Sequence, residues 1–472
     1  MKNKILFAVF FVNLFLFAQV TTDNLKDKLD SLTSSSFFDT AAVSIDVFDL
    51  TSNKILYQKN NKLLLHPASN MKVLTTATAL FFLGKDFAFE TSLYYDGFII
   101  DSTLYGNLYF VGGCDPDFTT TDLRIFVSSI KYMGINRIQG NIYGDVSMLD
   151  SLFWGDGWMW NDDPSTDFPY LTPLTINDNA VKVHVLACEI DSTPKVVVEP
   201  ATNFFKIENF ARTVIGLRTS LEITRDFVHR KNDIIVKGTI NQSDSIYSDE
   251  INVVYPEKYF LTLAKEEIEK FGISFVGTTD ISPLPDDAKH LFTFKRKFTD
   301  VITNLNKQSD NLSAEMTFRA LAFKFYGKPA TAENGVHLID SLITIAGLNP
   351  RNYRIVDGSG VSHYNLVSTE LLNAVLKYFY LHQPELYKTL SHSFPLAGVD
   401  GTLKRRMKNT LAENNLRAKT GTISGVSALS GYVTTKSNHQ LSFSMMIQNH
   451  VRKTYRAVYF LDQICTLLSE LD

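Results

Sequence analysis

The chain has 472 residues, 45% of them hydrophobic and 20% charged, with a formal net charge of −4. This length is too great for one ordinary domain and sufficient for two or three, and the composition is that of a folded protein, which excludes a disordered one. Without a basic excess there is no electrostatic footprint for nucleic acid, and none is expected as a partner.

Lys2 and Lys4 precede an apolar run from Ile5 to Phe17, broken only by Asn13, and Ala18 supplies a small residue before Gln19. That pattern predicts a secretory signal peptide over residues 1–18, with an apolar core too short to span a bilayer comfortably. No later stretch reaches about 18 uninterrupted apolar residues, so the mature chain is expected outside the cytoplasm with no stable transmembrane anchor. The three cysteines, Cys114, Cys188 and Cys465, are odd in number and widely spaced, which is not a disulfide framework. Cys114 and Cys188 could be bridged or free.

Ala41–Leu50 alternates and is rich in Val, Ile and Phe, which predicts a strand, with Thr51-Ser52-Asn53 turning it into a partner at Lys54–Gln58. Pro67 and Ser69 open a helix that places Met71, Leu74, Thr75, Thr78 and Phe82 on one face, and Gly84 closes it. From 89 to 284 short strand-like runs dominate: Leu104–Val111, Ile138–Tyr143, Val181–Ala187, Lys195–Val198 and Asp233–Ile240, with helices at Asp122–Tyr132 and Pro256–Phe271. Helices return at Leu312–Phe325, Ala332–Ala346 and Ser368–Tyr380. Strands follow at Leu416–Lys419, Val426–Thr434 and Gln440–Gln448, then a helix at Thr454–Leu471. The expected architecture is therefore α/β (α+β). Residues 19–88 and 290–472 form one split domain, interrupted by a β-rich insert, 89–289, of two subdomains.

Three strings carry the chemistry. Ser69-Asn70-Met71-Lys72 puts a hydroxyl and an amine three residues apart at a helix start, on one face, where the amine can take the hydroxyl proton. A lysine of ordinary pKa, about 10.4, is already protonated; burial and a second nearby cation can lower it to roughly 7–8, where it serves as a base. Ser309-Asp310-Asn311 lies on a polar turn before a helix. Ser309 could shuttle a proton to a leaving amine and Asn311 could hold a substrate carbonyl, although all three residue types also favour plain N-caps. Lys419-Thr420-Gly421-Thr422 ends a strand. It offers the second cation, two hydroxyls for a terminal carboxylate, and a glycine that allows a substrate backbone to approach. Each string alone is commonplace; together and in this order they predict a serine acyl-transfer site that uses lysine as its base. Ser192-Thr193-Pro194-Lys195 also has the first spacing, but Pro194 and the valines after it mark a strand start. The ten histidines are dispersed, without a His-x-His or His-Glu-x-x-His pair, so no metal or other cofactor is expected.

With these motifs the chain resembles the class C low-molecular-mass penicillin-binding proteins, the D-alanyl-D-alanine carboxypeptidase/endopeptidase family. The likeness includes the long separation of Ser309 from Lys72, 237 positions on, where that family carries inserted domains. It also includes Gly113-Cys114-Asp115-Pro116, Gly157-Trp158-Met159-Trp160, Asp357-Gly358-Ser359-Gly360 and the run from Ala397 to Leu403. The resemblance implies a penicillin-recognising transpeptidase-like domain, an antiparallel sheet covered by helices, in a periplasmic enzyme. Its partners would be peptidoglycan stem peptides, with β-lactam antibiotics as acylating inhibitors. It further implies Ser69 as nucleophile, Lys72 as base, and Ser309, Asn311 and Lys419 as catalytic partners. Thr420, Gly421 and Thr422 would bind substrate, and Asp150 would face the side-chain amine of diaminopimelate. His363 stands where the family commonly has arginine. Two other readings use the same motifs. A serine β-lactamase would need a deacylating group such as a Glu-x-x-Leu-Asn loop, and Glu370-Leu371-Leu372-Asn373 is one residue short of it. A non-catalytic wall-binding or β-lactam-sensing protein would not need an activated nucleophile.

Overall fold

A computed structural model describes residues 20–472, so the expected signal peptide lies outside the described residues. Its architecture is mixed α/β. The central sheet is antiparallel, in the order Arg417–Ile423, Val426–Thr434, Gln440–Gln448, Ala42–Asp49, Lys54–Lys59. Alternation along its strands separates two environments. Val43, Ile45, Val47, Leu429, Phe443 and Met445 form one core with the flanking helices Thr22–Thr33 and Tyr455–Ser469. The other face carries Ser44, Asp46, Ser430 and Ser444, small polar residues that tie helices to the sheet by hydrogen bonds. Ser44 bonds Thr369 (2.7 Å), and Asp46 accepts from the Asn373 amide (2.5 Å). Above this face lie Met71–Leu83, Asn311–Tyr326, Ala332–Ile345 and Thr369–His382.

The helix after Ser69 departs from expectation. Every residue from Met71 to Leu80 is buried, so it is a central helix and not a one-faced amphipathic one. Its threonines are used as ligands: the Thr75 hydroxyl donates to the Gly358 carbonyl (2.6 Å) and Thr76 accepts from Asn306 (3.1 Å).

Ala88–Tyr95 pairs antiparallel with Lys289–Lys297, so the chain leaves the helical layer and returns to it as neighbouring strands. Between them the segment builds its own sheets around a core that includes Phe110, Phe118, Phe126 and Phe260. Two predicted strands are each divided in two here. Leu104–Val111 becomes Thr103–Tyr105 and Leu108–Val111, and Ile138–Tyr143 becomes Arg137–Gln139 and Ile142–Asp145. The break in each is a Gly-Asn step between sheets. A Cβ on Gly106 would meet the Asp96 carbonyl oxygen at 2.3 Å, and one on Gly140 the Gly106 oxygen at 2.0 Å. Asn107 then accepts from the Asn141 N–H (2.8 Å), which stacks one step on the next.

Helices Thr22–Thr33, Phe298–Lys307 and Pro384–Ser393 were not anticipated, and Leu416–Lys419 belongs to a longer strand that runs to Ile423. Cys114, Cys188 and Cys465 are all free, and Cys114 and Cys465 are buried. No helix among the described residues is long and apolar enough to cross a membrane.

Candidate active site

Ser69 sits in a one-turn 3-10 helix, Ala68–Asn70, that runs directly into Met71–Leu83. The short turn leaves the Ser69 hydroxyl half-exposed at the mouth of a cavity of about 620 Å³. Lys72, one turn on, points back at it. Its Nζ lies 3.0 Å from Ser69 Oγ, 2.5 Å from Asn311 Oδ1 and 2.9 Å from the Ser359 carbonyl oxygen. An ammonium would donate to all three. A neutral amine donates to the two carbonyl-type oxygens and keeps a lone pair for the Ser69 proton.

Lys72 is wholly buried, and burial lowers its pKa to about 8, against the opposing pull of Asp310, Asp357, Glu315 and Asp167. Of the two expected causes, burial is the larger. Lys419 is also buried and is held well below its ordinary value first by burial, then by the charge of Lys72.

The Ser-Asp-Asn string divides its labour. Asp310 is the N-cap, its carboxylate accepting from the Ser313 N–H (2.5 Å). That leaves its neighbours free for the cleft. Ser309, in the left-handed region at φ +64°, accepts from Lys419 Nζ (2.9 Å). Asn311 turns its oxygen to Lys72 and donates its amide to the Asp167 carbonyl (2.6 Å).

Lys419, Thr420, Gly421 and Thr422 lie inside the edge strand Arg417–Ile423, not at its end, in register with Ser430, Leu429, Ala428 and Ser427. Asn70 locks this strand to the nucleophile turn: its amide nitrogen donates to the Lys419 carbonyl (2.8 Å) and its oxygen accepts from the Ser430 hydroxyl (2.8 Å). Gly421 is needed for a different approach from the one expected. A Cβ there would meet the Pro67 oxygen at 2.8 Å and the Asn70 and Ser69 nitrogens at 3.0 and 3.2 Å, so the crowding is with the nucleophile turn itself. Gly421→Val is therefore expected to push strand and turn apart and slow acylation of Ser69 by about 100-fold, measured as the rate of labelling by fluorescent penicillin.

Asp150 is not brought to this cleft. Its carboxylate pairs with Arg319 (3.1 Å) and accepts from the Leu152 N–H (3.1 Å). The Glu370 string lies in helix Thr369–His382 with Leu371, Leu372 and Asn373 buried, away from the cavity lining. His363 does line the cavity, its ring edge on His66 (5.6 Å between centroids).

Glu315 escaped the sequence reading, and the Asp357 string entered it only as part of the resemblance, without a structural role. Glu315 is buried behind Lys72, where burial first, then Asp357, raise its pKa to about 7. It accepts the N–H groups of Gly358 and Ser359 (3.0 and 2.8 Å) and so fixes the carbonyl that meets Lys72. Asp357 accepts from Trp158, Gly360, Ser362 and Asn365, which folds the Asp-Gly-Ser-Gly string into a rigid turn. A larger cavity, about 780 Å³, lies beside Phe87, Met148 and Phe323 and contains none of the three motifs.

A hydroxyl, a buried amine and a second lysine on a sheet edge define the class of serine acyl-transfer sites that work without histidine. The chain belongs to the D-Ala-D-Ala carboxypeptidase 3 (S13) family, whose pattern matches residues 25–466. It is 28% identical over 445 residues to D-alanyl-D-alanine carboxypeptidase DacB of Haemophilus influenzae, covering 92% of this chain and 89% of that protein. The crystal structure of penicillin binding protein 4 (dacB) from that organism is similar, with a TM-score of 0.82 at 27% identity over 93% of this chain and 97% of the other. Its complex with a β-lactam gives a TM-score of 0.77 at 25% identity, covering 94% and 98%.

Proposed function

We propose that this chain is an exported, periplasmic serine D-alanyl-D-alanine carboxypeptidase/endopeptidase that acts on peptidoglycan stem peptides and is acylated by β-lactams. In this reading residues 19–88 and 290–472 form the catalytic domain and 89–289 an inserted region. The observation that carries it is the 3.0 Å contact between Ser69 Oγ and a fully buried Lys72 amine. Burial makes the charged amine costly, so the proton of Ser69 has an acceptor near neutral pH.

Ser69 Oγ attacks the carbonyl of the penultimate D-alanine, and its proton passes to Lys72. The backbone N–H groups of Ser69 and Thr422 hold the oxyanion, and Asn311 orients the acyl side. Ser309 and Lys419, 2.9 Å apart, relay a proton to the leaving nitrogen as the C–N bond breaks. Thr420 and Thr422 hold the terminal carboxylate, and water then hydrolyses the ester. Incubation with purified muropeptides, products identified by mass, tests the reading. Loss of one D-alanine and scission of cross-linked dimers are expected, and unchanged muropeptides would refute it. The β-lactamase alternative requires rapid multiple turnover of benzylpenicillin, whereas a single slow acylation is expected.

The acylation rate is expected to follow the neutral fraction of Lys72. As pH falls below about 8 the amine is progressively protonated and its neutral fraction shrinks, so the rate rises with pH through that value and then levels. Glu315 favours the charged amine. Glu315→Gln keeps an acceptor for Gly358 and Ser359 while removing that charge, and should move the rising limb to lower pH by roughly half a unit to one unit. A limb that stays in place would mean that Glu315 does not act on the base.

A further inference from the structure

The chain has three tryptophans, and all of them lie in the stretch 154–160. The structure puts them to different uses. Trp158 is buried and holds Asp357 in the turn behind Lys72. Trp160 is 73% exposed, a large apolar ring left in water with no part in the chemistry described above. It stacks on Phe227 (6.0 Å between centroids), and together with Phe153, Trp154 and Tyr170 these rings line a cavity of about 390 Å³, within the size range of small-ligand sites. The buried members of this cavity are held in place. The Tyr170 hydroxyl donates to Asp163 (2.9 Å), which is paired with the buried Arg225. Arg230, exposed, lines the cavity too, its guanidinium lying over the Phe153 ring (4.2 Å).

This aromatic cavity shares a wall with the Ser69 cleft. Met159 and Asp162 line the cleft, and the residue after each, Trp160 and Asp163, lines the aromatic cavity. A second contact divides in the same way: Phe168 lines the cleft and stacks on Trp154 (6.4 Å between centroids), which lines the cavity. The wall belongs to the acyl side of the cleft. Asp167, next to Phe168, accepts the Asn311 amide on its carbonyl (2.6 Å). Thr420 and Thr422, assigned above to the leaving carboxylate, line the cleft and not the aromatic cavity.

We infer that the aromatic cavity is a sugar subsite, which takes a pyranose ring of the glycan that bears the acyl-donating stem peptide. The inference rests on the peptidase reading above. A pyranose presents an apolar C–H face and an edge of hydroxyl and acetamido oxygens. The exposed indole of Trp160 suits the first and the Arg230 guanidinium donates to the second, whereas a purely apolar ligand matches the rings alone. The stem residues between the cleaved bond and the sugar span roughly 3.3 Å each when extended, enough to cross a wall one ring thick. A free stem peptide stops short of the rings; a glycan-borne one continues onto them. Contact so far from the reacting atoms strengthens substrate binding and leaves the chemical step unchanged.

The test compares the unaltered chain with Trp160→Ala and Trp160→Phe. Three rates are measured: D-alanine release from a pentapeptide that carries its disaccharide, release from the same pentapeptide without sugar, and acylation by fluorescent penicillin. The unaltered chain is expected to favour the disaccharide pentapeptide by about five- to tenfold in kcat/KM, through KM. Trp160→Ala should erase that preference while the other two rates change by less than about twofold. Trp160→Phe keeps an aromatic face and should retain most of the preference. An equal fall in all three rates would mean that Trp160 only supports Met159 and Asp162, and overturns the inference; so does an unaltered chain without the preference. A second readout needs no turnover. In the Ser69→Ala chain, N-acetylglucosaminyl-N-acetylmuramic acid is expected to change the tryptophan fluorescence, and adding Trp160→Ala should remove the change. No response to the disaccharide, or a response to tetramethylammonium in its place, overturns the inference, the latter by assigning the rings to a cationic ligand. If the unaltered chain releases D-alanine from neither peptide, the peptidase reading has failed, and the fluorescence response still decides whether the rings bind sugar.

Discussion

Ser69→Ala is expected to abolish D-alanine release and labelling by fluorescent penicillin, a loss of roughly 10⁴-fold or more, with the fold unchanged. The reason for the large effect is that the other hydroxyl near the cleft with an amine in contact, Ser309, is differently mounted. Ser309 contacts Lys419, but it sits on a turn before a helix in the left-handed region, without the run of N–H groups that Ser69 has at its own helix start. The reason for a silent effect on stability is that Ser69 is half-exposed and hydrogen-bonds only to Lys72, which retains Asn311 and Ser359 as partners. Circular dichroism and the melting temperature should match those of the unaltered chain. Undiminished D-alanine release would show that another group is the nucleophile.

Lys72→Arg is expected to be nearly as damaging, about 10³-fold or more in acylation rate, although charge and approximate length are kept. Arginine cannot give up its proton in this pH range, so Ser69 would lose its acceptor. The planar guanidinium must also fit a fully enclosed space between Asn311 and Ser359, where it stays charged at the desolvation cost that lysine avoids by neutralising. The rate should become flat with pH in place of rising through about 8. A variant that still rises there would identify a different base, with Lys419, also held well below its ordinary value by burial, as the first to examine.

The parts of the site that were legible in the sequence are those encoded by short spacing. Ser69 and Lys72 are one helical turn apart, and any helix starting there brings them together. The hairpin at residues 42–59 was equally plain, because alternation and turn chemistry agree. What escaped was carried by distance. Glu315 and Ser359 reach Lys72 from segments more than 200 residues away; the Asp-Gly-Ser-Gly string marked the second segment without saying what it meets, and nothing near Glu315 marks the first. Asp150 gave no sign of its partner, because Arg319 is 169 residues downstream. The strand at Lys419 seemed to stop at Thr-Gly-Thr, residues of modest strand preference, yet pairing with Ser427–Ser430 carries it on to Ile423. The helix at 298–307 did show its spacing, since Phe298, Val301, Ile302 and Leu305 are buried on one face, but its threonines and asparagines masked it. Helix Thr22–Thr33, with Leu25 and Leu29 buried, was obscured by the apolar leader beside it.

The central pairing of the sheet joins Ala42–Asp49 to Gln440–Gln448, two segments far apart in the sequence. Pairing across such a separation is slow and must await synthesis of nearly the entire chain. Until then Ser69 has its helix but neither Lys419 nor the strand that would grip a substrate. A product that ends before this pairing can form is therefore expected to lack the assembled cleft.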